Sequence, residues 1–579
     1  MAAYGAAASL KNTIQRLLQS SRISLVSHSP QMLQPAYDEM DRLQKVLLKL
    51  DDTDCSKIRT KVNAVDERIK EAVWEFEDLL ESHVLHQILP QLESERDNLS
   101  FSVELQSLQH HVDCFVEMVK TMEEEYTYEM ENMAEEEGEP ISSRSDFGGI
   151  KSKMFGLSDE FQKARDDLLE DKHYSIIGMA GVGKTTLAKH IFEDPSIRSH
   201  FEFRAWVKVG RKCESNELLR CVLAQVDPNA YQTLTQGDDD DEVLDGLLKE
   251  KLKHKKCLIV LDDVWEGQAT DHLITNLLLE KNIDGNIRVL LTSRKDIIVT
   301  QHGYGRVRLL NEKESKELLG EKVFGEEGFP PQLEELGEKI AKKCEGLPLM
   351  IVTVAELLSK ADKTPEYWTE VLVKQRSSVF VVAYNQISEV LFPSYDYLPQ
   401  YLKMCFLYMG AFRPYLDINI NSLNTMMSAD VFLQPSGEES FDSFWKTCLY
   451  KLSLCYHLVL DTSQEDEYWF WHRKYRVHSC WQHVCRVEAS RIKFLHVLQS
   501  CDDVIKDQRR LCTHWNSLLC FKQVCDSIKV IVHPPSVLSF FMVLITHIQS
   551  QYMPWVSSCS GYYMLMMSDF TISQLEFSN

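Results

Sequence analysis

The 579-residue sequence shows no long hydrophobic run, no signal-peptide pattern in its first residues and no excess of basic residues. Its longest apolar stretch, Val537 to Ile548, is shorter than the roughly 18 residues that a membrane-spanning helix needs. Met1 to Leu10 has neither the basic start nor the apolar core of a signal peptide. The net charge of -24 disfavours nucleic-acid binding, because an acidic chain repels phosphate backbones. We therefore expect a cytoplasmic protein with reduced cysteines, no transmembrane span and no nucleic-acid partner.

The amino-terminal part of the chain is predicted to be a helical bundle. The chain length predicts about three to five domains, and an apolar share of 44% is typical of folded protein. Apolar residues recur at helical spacing in four stripes, within Leu10–Leu18, Leu43–Leu50, Val62–Leu80 and Val103–Val119. Four such stripes favour an antiparallel four-helix bundle over residues 1–122. The glutamate-rich residues 123–155 then predict a flexible, acidic linker, because like charges repel and little apolar surface is available.

A change of pattern near residue 156 predicts a second kind of fold. Short β-branched runs now alternate with helical patterns, at Tyr174–Ile177, Ala205–Val209, Cys257–Leu261 and Arg288–Thr292. This alternation indicates βαβ units and a parallel sheet. Beyond about residue 361 the pattern returns to mostly helix, and no internal repeat is evident. The predicted fold class is therefore multidomain, α and α/β.

The sharpest signal is the glycine-rich loop from Gly178 to Thr185, which fits G-x-x-x-x-G-K-[ST]. Its glycines allow a tight turn in which backbone N–H groups converge on phosphate oxygens. We expect Lys184 to reach the outer phosphates and the Thr185 hydroxyl to coordinate Mg²⁺. The predicted cofactor-binding residues of this loop and the helix after it are Gly178, Gly181, Val182, Gly183, Lys184, Thr185 and Thr186.

Two further strand ends carry polar residues that suit the same site. The run Leu258 to Asp263 is an apolar strand that ends in two carboxylates. We expect Asp262 to hold the magnesium ion and Asp263 to polarise the attacking water as the catalytic residue. Arg294 follows a third strand and is expected to contact the γ-phosphate. The motif Asn-Lys-x-Asp is absent, so guanine specificity is unsupported and adenine is the default base.

Several ordered motifs resemble those of one protein family. They are Glu71–Leu80, Phe155–Leu157, Phe201–Val207, Leu258–Trp265, Gly346–Leu349, Tyr395–Pro399, Cys405–Tyr408 and Tyr475–Ser479. In this order they resemble the plant coiled-coil NB-ARC intracellular immune receptors, in particular the late blight resistance protein group. The resemblance implies a bundle at 1–122, an acidic linker at 123–155, a P-loop NTPase domain at 156–310, a helical ARC1 domain at 311–385, a winged-helix ARC2 domain at 386–490, and at 491–579 an irregular tail that is a truncated approach to leucine-rich repeats.

The resemblance also implies a molecular switch with ADP, ATP and Mg²⁺ as cofactors. In the family, ADP holds the domains closed, and exchange for ATP leads to assembly through the bundle, defence and hypersensitive cell death. Pro348 corresponds to the proline that contacts the base, and His478 to the histidine that reaches the β-phosphate of ADP. Implied partners are further copies of the chain, another immune receptor or a pathogen effector, with membrane recruitment on activation. Turnover is expected to be slow, so the protein is not primarily an enzyme.

The sequence departs from the family pattern in three places. No leucine-rich repeats are evident, and the winged-helix motifs at Arg413–Tyr415 and Thr425–Met427 have drifted. Ser479 replaces the acid that follows the histidine in relatives. From this we expect looser ADP retention, which Ser479→Asp is expected to restore. We also expect Glu77 and Asp78, within the acidic motif, to be exposed.

Three alternatives remain open at this point. The chain is a switch, a multiple-turnover P-loop ATPase, or a truncated adaptor, decoy or regulator that binds nucleotide and partner receptors without switching. A separate hypothesis is a zinc site at His478, Cys480, His483 and Cys485, although this spacing is not a usual ligand pattern.

Overall fold

A computed structural model of the chain describes residues 2–20, 23–26, 29–94, 100–149, 153–233, 241–265, 287–296, 303–373, 378–412, 414–419, 441–462, 473–498, 511–513, 541–545 and 563–566. The winged-helix positions Arg413 and Thr425–Met427, which the sequence analysis identified as unusual, lie outside these residues. Within the described ranges, the length and apolarity of every helix fall short of what a membrane crossing requires.

The amino-terminal residues form the predicted four-helix bundle. Its helices are α1 (Ala3–Gln19), α2 (Ser29–Leu48), α3 (Thr60–Ser94) and α4 (Gln109–Glu131), with short parallel strands β1 (Ile23–Leu25) and β2 (Phe101–Val103) between them. Helices α1 and α4 each pack against both α2 and α3. The apolar stripes bury one another, which is why these segments are helical and associate.

The prediction that Glu77 is exposed was wrong. Its side chain is 2% exposed and accepts hydrogen bonds from the hydroxyls of Ser9 (2.8 Å) and Thr13 (2.9 Å) on α1. A buried carboxylate needs such donors, since burial without them is costly. Glu77 therefore joins α3 to α1 inside the bundle, whereas its neighbour Asp78 is half-buried.

The acidic segment after the bundle begins as helix and pairs with other parts of the chain; its flexibility stays a prediction. Helix α4 continues to Glu131, and the short helix α5 (Ile141–Arg144) follows. The buried guanidinium of Arg144 donates to the carbonyls of Val209 (2.6 Å) and Lys208 (3.1 Å). Other segments pair with the segment's acids, through Lys57–Glu135, Lys212–Glu135, Arg211–Glu136 and Lys208–Glu139. Charges distant in sequence thus neutralise a segment that locally appears self-repelling.

The central sheet is parallel, as predicted, with its strands in the order β4-β5-β6-β3-β7. The strands are β3 (Tyr174–Ile177), β4 (Phe203–Gly210), β5 (Cys257–Val264), β6 (Ile287–Ser293) and β7 (Gly303–Arg306). Helices α6 (Ser158–Leu169), α7 (Lys184–Phe192) and α8 (Pro195–His200) share a core with one face of the sheet. Helices α9 (Ser215–Val226) and α11 (Asp241–Leu252), with α10 (Pro228–Thr233) beside α9, lie against the other face. Because both faces are covered, the inner strands are buried and mainly apolar, and β5 and β6 carry polar residues towards their carboxyl ends.

The following segments are mainly helical. Helices α12 (Glu312–Phe324), α13 (Glu334–Lys343), α14 (Pro348–Ser359) and α15 (Pro365–Val373) come first. Next come α16 (Ser378–Asp396), α17 (Gln400–Tyr408), α18 (Phe441–Tyr450) and α19 (Ser479–Arg491), with an antiparallel sheet of β8 (Ile418–Asn419), β9 (Leu460–Asp461) and β10 (Lys474–Arg476). Helices with a small antiparallel sheet are compatible with the expected winged helix. Strands β11 (His496–Leu498), β12 (Leu511–Thr513), β13 (Phe541–Ile545) and β14 (Tyr563–Met566) complete the described chain.

Candidate nucleotide-binding site

The glycine loop joins β3 to α7 at the carboxyl edge of the sheet, as its sequence context predicts. Gly181 (φ 80°) and Gly183 (φ 104°) adopt left-handed backbone conformations that other residues rarely take. A Cβ atom at Gly181 would lie 2.7 Å from Cβ of Leu349, so a larger residue cannot fit there. The loop is therefore closed over by a segment that lies far along the chain.

The amino terminus of α7 carries backbone N–H groups without a side-chain cap and one buried lysine. Gly183 is its N-cap and gives no side-chain cap, so the first N–H groups lack that partner. The Lys184 ammonium is buried and donates to the carbonyls of Gly178 (2.8 Å) and Met179 (2.9 Å). Burial, with the nearby Arg294 cation, lowers the pKa of Lys184 to about 7. A buried cation beside uncapped N–H groups fits an anionic phosphate, which would restore the ordinary lysine pKa.

Asp262 and two threonines form the second part of the site. Oδ1 of Asp262 accepts hydrogen bonds from the hydroxyls of Thr185 (2.8 Å) and Thr292 (2.7 Å). Burial raises the pKa of Asp262, and these two hydrogen bonds oppose the rise. The structure thus brings together the two predicted magnesium ligands, Thr185 and Asp262. A hydroxyl and a carboxylate side by side fit the oxygen ligands that Mg²⁺ prefers.

Asp263 and Arg294 contact each other in this conformation. Nε of Arg294 lies 3.2 Å from Oδ1 of Asp263, and its Nη1 donates to the carbonyl of Val390 on α16 (2.9 Å). Asp263 has a φ of 55°, and the pairing of β5 with β6 slips at this point. Such an irregularity turns a side chain out of the sheet. The predicted water-polarising acid and phosphate-binding arginine are thus adjacent but paired with each other.

Pro348 lies over the glycine loop. It is the first residue of α14, a position that suits proline. A Cβ atom placed on Gly183 would lie 4.0 Å from Cγ of Pro348. The next residue, Leu349, donates its N–H to the carbonyl of Gly181 (3.2 Å). The segment that carries Pro348, which the resemblance places beside the nucleotide base, is thus in contact with the glycine loop.

His478 lies in the interior, at the N-cap of α19. Its Nδ1 accepts the N–H of Cys480 (3.2 Å) and lies 3.8 Å from Oε2 of Glu345. Its Nε2 is buried and has no hydrogen-bond partner among the described residues. Burial lowers the pKa of His478, and the carboxylate of Glu345 and the backbone carbonyls of Cys344 and Glu345 oppose this. In the described parts of the chain His478 makes no hydrogen bond to the glycine loop; Glu345 connects it to the segment that carries Pro348.

Sequence reasoning missed several residues of this region. Thr292 was quoted only as part of a strand, although its hydroxyl holds the key carboxylate. Glu345 carried no pattern of its own. His457, just before β9, accepts or donates a hydrogen bond with Asp296 (3.1 Å), and Arg306 pairs with the same carboxylate (3.2 Å). Burial lowers the pKa of His457 despite Asp296, and the nearby cations of Arg306 and Lys184 act in the same direction. Only tertiary structure brings these groups together.

The zinc hypothesis gains no support from the described residues. Within the described ranges, no group of three His, Cys, Asp or Glu residues is arranged to hold a metal ion. Burial raises the pKa of the Cys480 and Cys485 thiols, so both are expected to be protonated. His483 instead stacks on Tyr384, with ring centroids 5.4 Å apart. These side chains belong to the packing of α19.

Comparisons with known proteins identify relatives of the described domains. Residues 158–328 match the family model of the NB-ARC domain. Late blight resistance protein R1-A of Solanum demissum is 32% identical over 295 residues, which are 50% of this chain and 22% of that protein. A putative late blight resistance protein homolog of the same plant is 33% identical over 301 residues, which are 51% of this chain and 22% of the homolog. A Walker-type ATPase of Pyrococcus abyssi aligns at a TM-score of 0.39 and 12% identity, over 57% of this chain and 95% of that one.

Proposed function

This chain carries an NB-ARC domain and is related to the late blight resistance proteins of plants, and we propose that it is an adenine-nucleotide switch in disease resistance. The proposed resting state is closed with ADP, and exchange for ATP activates it. The aligned part is 22% of each of the two relatives' lengths, so activity and partners are proposals for this chain.

A continuous series of contacts supports the switch. Leu349 donates to the carbonyl of Gly181 in the glycine loop, and Glu345 accepts the N–H of Ser479 at the start of α19. The short segment of residues 345–349 therefore contacts the glycine loop at one end and α19 at the other. A movement of the glycine loop that displaces residues 345–349 would therefore also change their contact with α19. This arrangement is the single observation that most favours a switch over a simple binding protein.

The chain's own groups have distinct tasks in this proposal. A bound adenine nucleotide supplies anionic phosphates and, with Mg²⁺, a cleavable γ-phosphate. Lys184 and the N–H groups of the glycine loop would bind the phosphates, while Thr185 and Asp262 would hold the metal ion. Asp263 polarises water and Arg294 contacts the outermost phosphate, and both tasks require their ion pair to separate. Pro348 would contact the base, and Nε2 of His478 is the ring atom that would donate to a phosphate oxygen when the domains are closed.

The assembly and location of the protein follow the same proposal. Activated copies associate through the amino-terminal bundle and signal defence and cell death, with another receptor or a pathogen effector as partner. The protein acts in the cytoplasm and is recruited to a membrane on activation. Hydrolysis is slow, so the protein works as a switch rather than as a multiple-turnover ATPase.

The primary test is nucleotide binding by the full chain and by Lys184→Ala. Removing the buried cation deletes charge-assisted contacts worth roughly 1.5–3 kcal/mol each, so affinity for ADP should fall at least about tenfold. The matched control is Lys189→Ala on the same helix, whose ammonium lies over the rings of Phe147 and Trp206. In calorimetric titration, Lys189→Ala should bind ADP with the same affinity as wild type. Equal affinity in wild type and Lys184→Ala would refute the site, and hydrolysis near about 1 per second or faster would favour the ATPase.

A further inference from the structure

Glu345 occupies an unusual turn between α13 and α14. Its φ is 49°, a left-handed value that is costly for a residue with a side chain, and Gly346 follows at φ 74°. Its side chain is only 8% exposed. A strained backbone and a buried carboxylate each cost free energy, so the surrounding structure must hold both in place.

The carboxylate of Glu345 contacts the first residues of α19. Its Oε2 accepts the N–H of Ser479 at 2.6 Å and lies 3.8 Å from Nδ1 of His478. Because Nδ1 accepts the N–H of Cys480, the neutral ring carries its proton on Nε2. The N–H of Cys480 thus holds the ring at Nδ1, Glu345 holds the backbone beside the ring through the N–H of Ser479, and the buried Nε2–H is left as the donor.

We propose that Glu345 is a positioning residue that aims Nε2 of His478, taking the place of the acid that is missing at Ser479. The inference rests on the proposed nucleotide switch. An acid at position 479 would tether α19 to itself, whereas Glu345 tethers it to the segment that covers the glycine loop. The contact therefore couples two parts of the chain: the carboxylate leaves Ser479 whenever the segment that carries Pro348 and Leu349 moves away.

This coupling predicts a specific pattern of ADP release. In the full chain, Glu345→Ala should release a fluorescent ADP analogue about tenfold faster, because a charge-assisted hydrogen bond and the aim of His478 are both lost. Glu345→Gln keeps an oxygen acceptor for the N–H of Ser479, so it should stay within about threefold of wild type. His478→Ala should also release faster, and the double variant Glu345→Ala/His478→Ala should be no faster than His478→Ala alone.

A second measurement needs no nucleotide. Hydrogen–deuterium exchange should show protection of the Ser479 amide in wild type, loss of it in Glu345→Ala and partial recovery in Glu345→Gln. The matched control is Glu488→Gln, a buried acid of the same helix that pairs with Arg491. The control should change neither the release rate nor the exchange of Ser479.

Three results would overturn the inference. The double variant could release ADP faster than His478→Ala alone, with the two rate increases multiplying. The Ser479 amide could stay protected in Glu345→Ala, or Glu488→Gln could change the release rate and the exchange of Ser479 as much as Glu345→Ala does. The proposed function fails separately, if Lys184→Ala and wild type bind ADP equally. Even then, the exchange measurement decides whether Glu345 holds Ser479.

Discussion

Thr292→Val is a sharp test of the magnesium side of the site. The change keeps the shape of the side chain and removes one hydroxyl. That hydroxyl donates to Oδ1 of Asp262 (2.7 Å) and accepts the N–H of Asp263 (2.9 Å). Thr292 is 1% exposed, so water cannot replace either hydrogen bond without rearrangement.

The magnitude follows from these two hydrogen bonds. A hydrogen bond to a charged acceptor contributes roughly 1.5–3 kcal/mol, and a backbone donor left unpaired costs roughly 1–3 kcal/mol. We therefore expect a loss of about 3 kcal/mol in the stability of the sheet domain, which corresponds to a melting temperature lower by roughly 6–12 °C for a domain of this size. Loss of the hydrogen bond also raises the pKa of Asp262 further, since that bond now opposes the effect of burial.

The assay combines thermal unfolding with binding of a non-hydrolysable ATP analogue, with and without Mg²⁺. We expect Thr292→Val to lose much of the Mg²⁺-dependent gain in affinity while keeping its affinity in chelator, because Lys184 is unaffected. The control Thr369→Val removes an exposed hydroxyl that donates within its own helix, to the carbonyl of Pro365 (2.7 Å), and should melt like wild type. A Thr292→Val protein with wild-type melting and wild-type Mg²⁺ dependence would refute this reasoning.

Three further predictions concern the bundle and the winged helix. Glu77→Ala should destabilise the bundle by about 2–4 kcal/mol in denaturant unfolding, whereas the exposed Glu75→Ala should change it by less than about 0.5 kcal/mol. Ser479→Asp should speed ADP release rather than slow it, because it buries a second carboxylate beside Glu345; slower release would restore the original expectation. Burial holds the folded-state pKa of His457 below its unfolded value of 6.5, so protonation below pH 6.5 favours unfolding. His457→Gln should therefore lose less thermal stability than wild type as the pH falls below 6.5. An unchanged dependence of melting temperature on pH would contradict this.

The elements that the sequence predicts well are those with a strong local pattern. The predicted runs Tyr174–Ile177 and Cys257–Leu261 are short and mainly apolar; the first is β3 and the second lies within β5 (Cys257–Val264), and the glycine loop stands between a strand and a helix as its pattern requires. These features depend on neighbours in sequence, so periodicity and motif are enough. The fold class was confirmed for the same reason, since alternating strands and helices can form only a few architectures.

The errors arose where a charged residue finds a distant partner. Glu77 was expected at the surface, yet Ser9 and Thr13 of another helix satisfy its carboxylate. The acidic segment was expected to be a flexible linker because its like charges repel, and cations such as Lys57 and Lys208 pair with some of its carboxylates. Sequence patterns report like charges that are close along the chain, and they do not report opposite charges that folding brings near.

The missing acid at Ser479 shows how this affects a functional argument. Considered alone, its neutral hydroxyl suggests a weaker closed state, but Glu345 supplies a carboxylate to the same backbone N–H from another segment. Oε1 of Glu345 and Nε2 of His478 are buried with no hydrogen-bond partner among the described residues. Each such atom costs roughly 1–3 kcal/mol, a cost that is relieved when the two segments separate and water enters.

The stability of the closed contact between Glu345 and His478 therefore depends on whether a hydrogen-bond acceptor lies at the Nε2–H. A phosphate oxygen at that position removes the cost for the donor and stabilises closure by up to the same roughly 1–3 kcal/mol, or about 5- to 150-fold in the equilibrium. A ligand without an acceptor there leaves the cost in place and does not shift the balance. The direction of the switch then depends on whether the bound nucleotide presents an oxygen to His478, and not on how tightly Lys184 holds it.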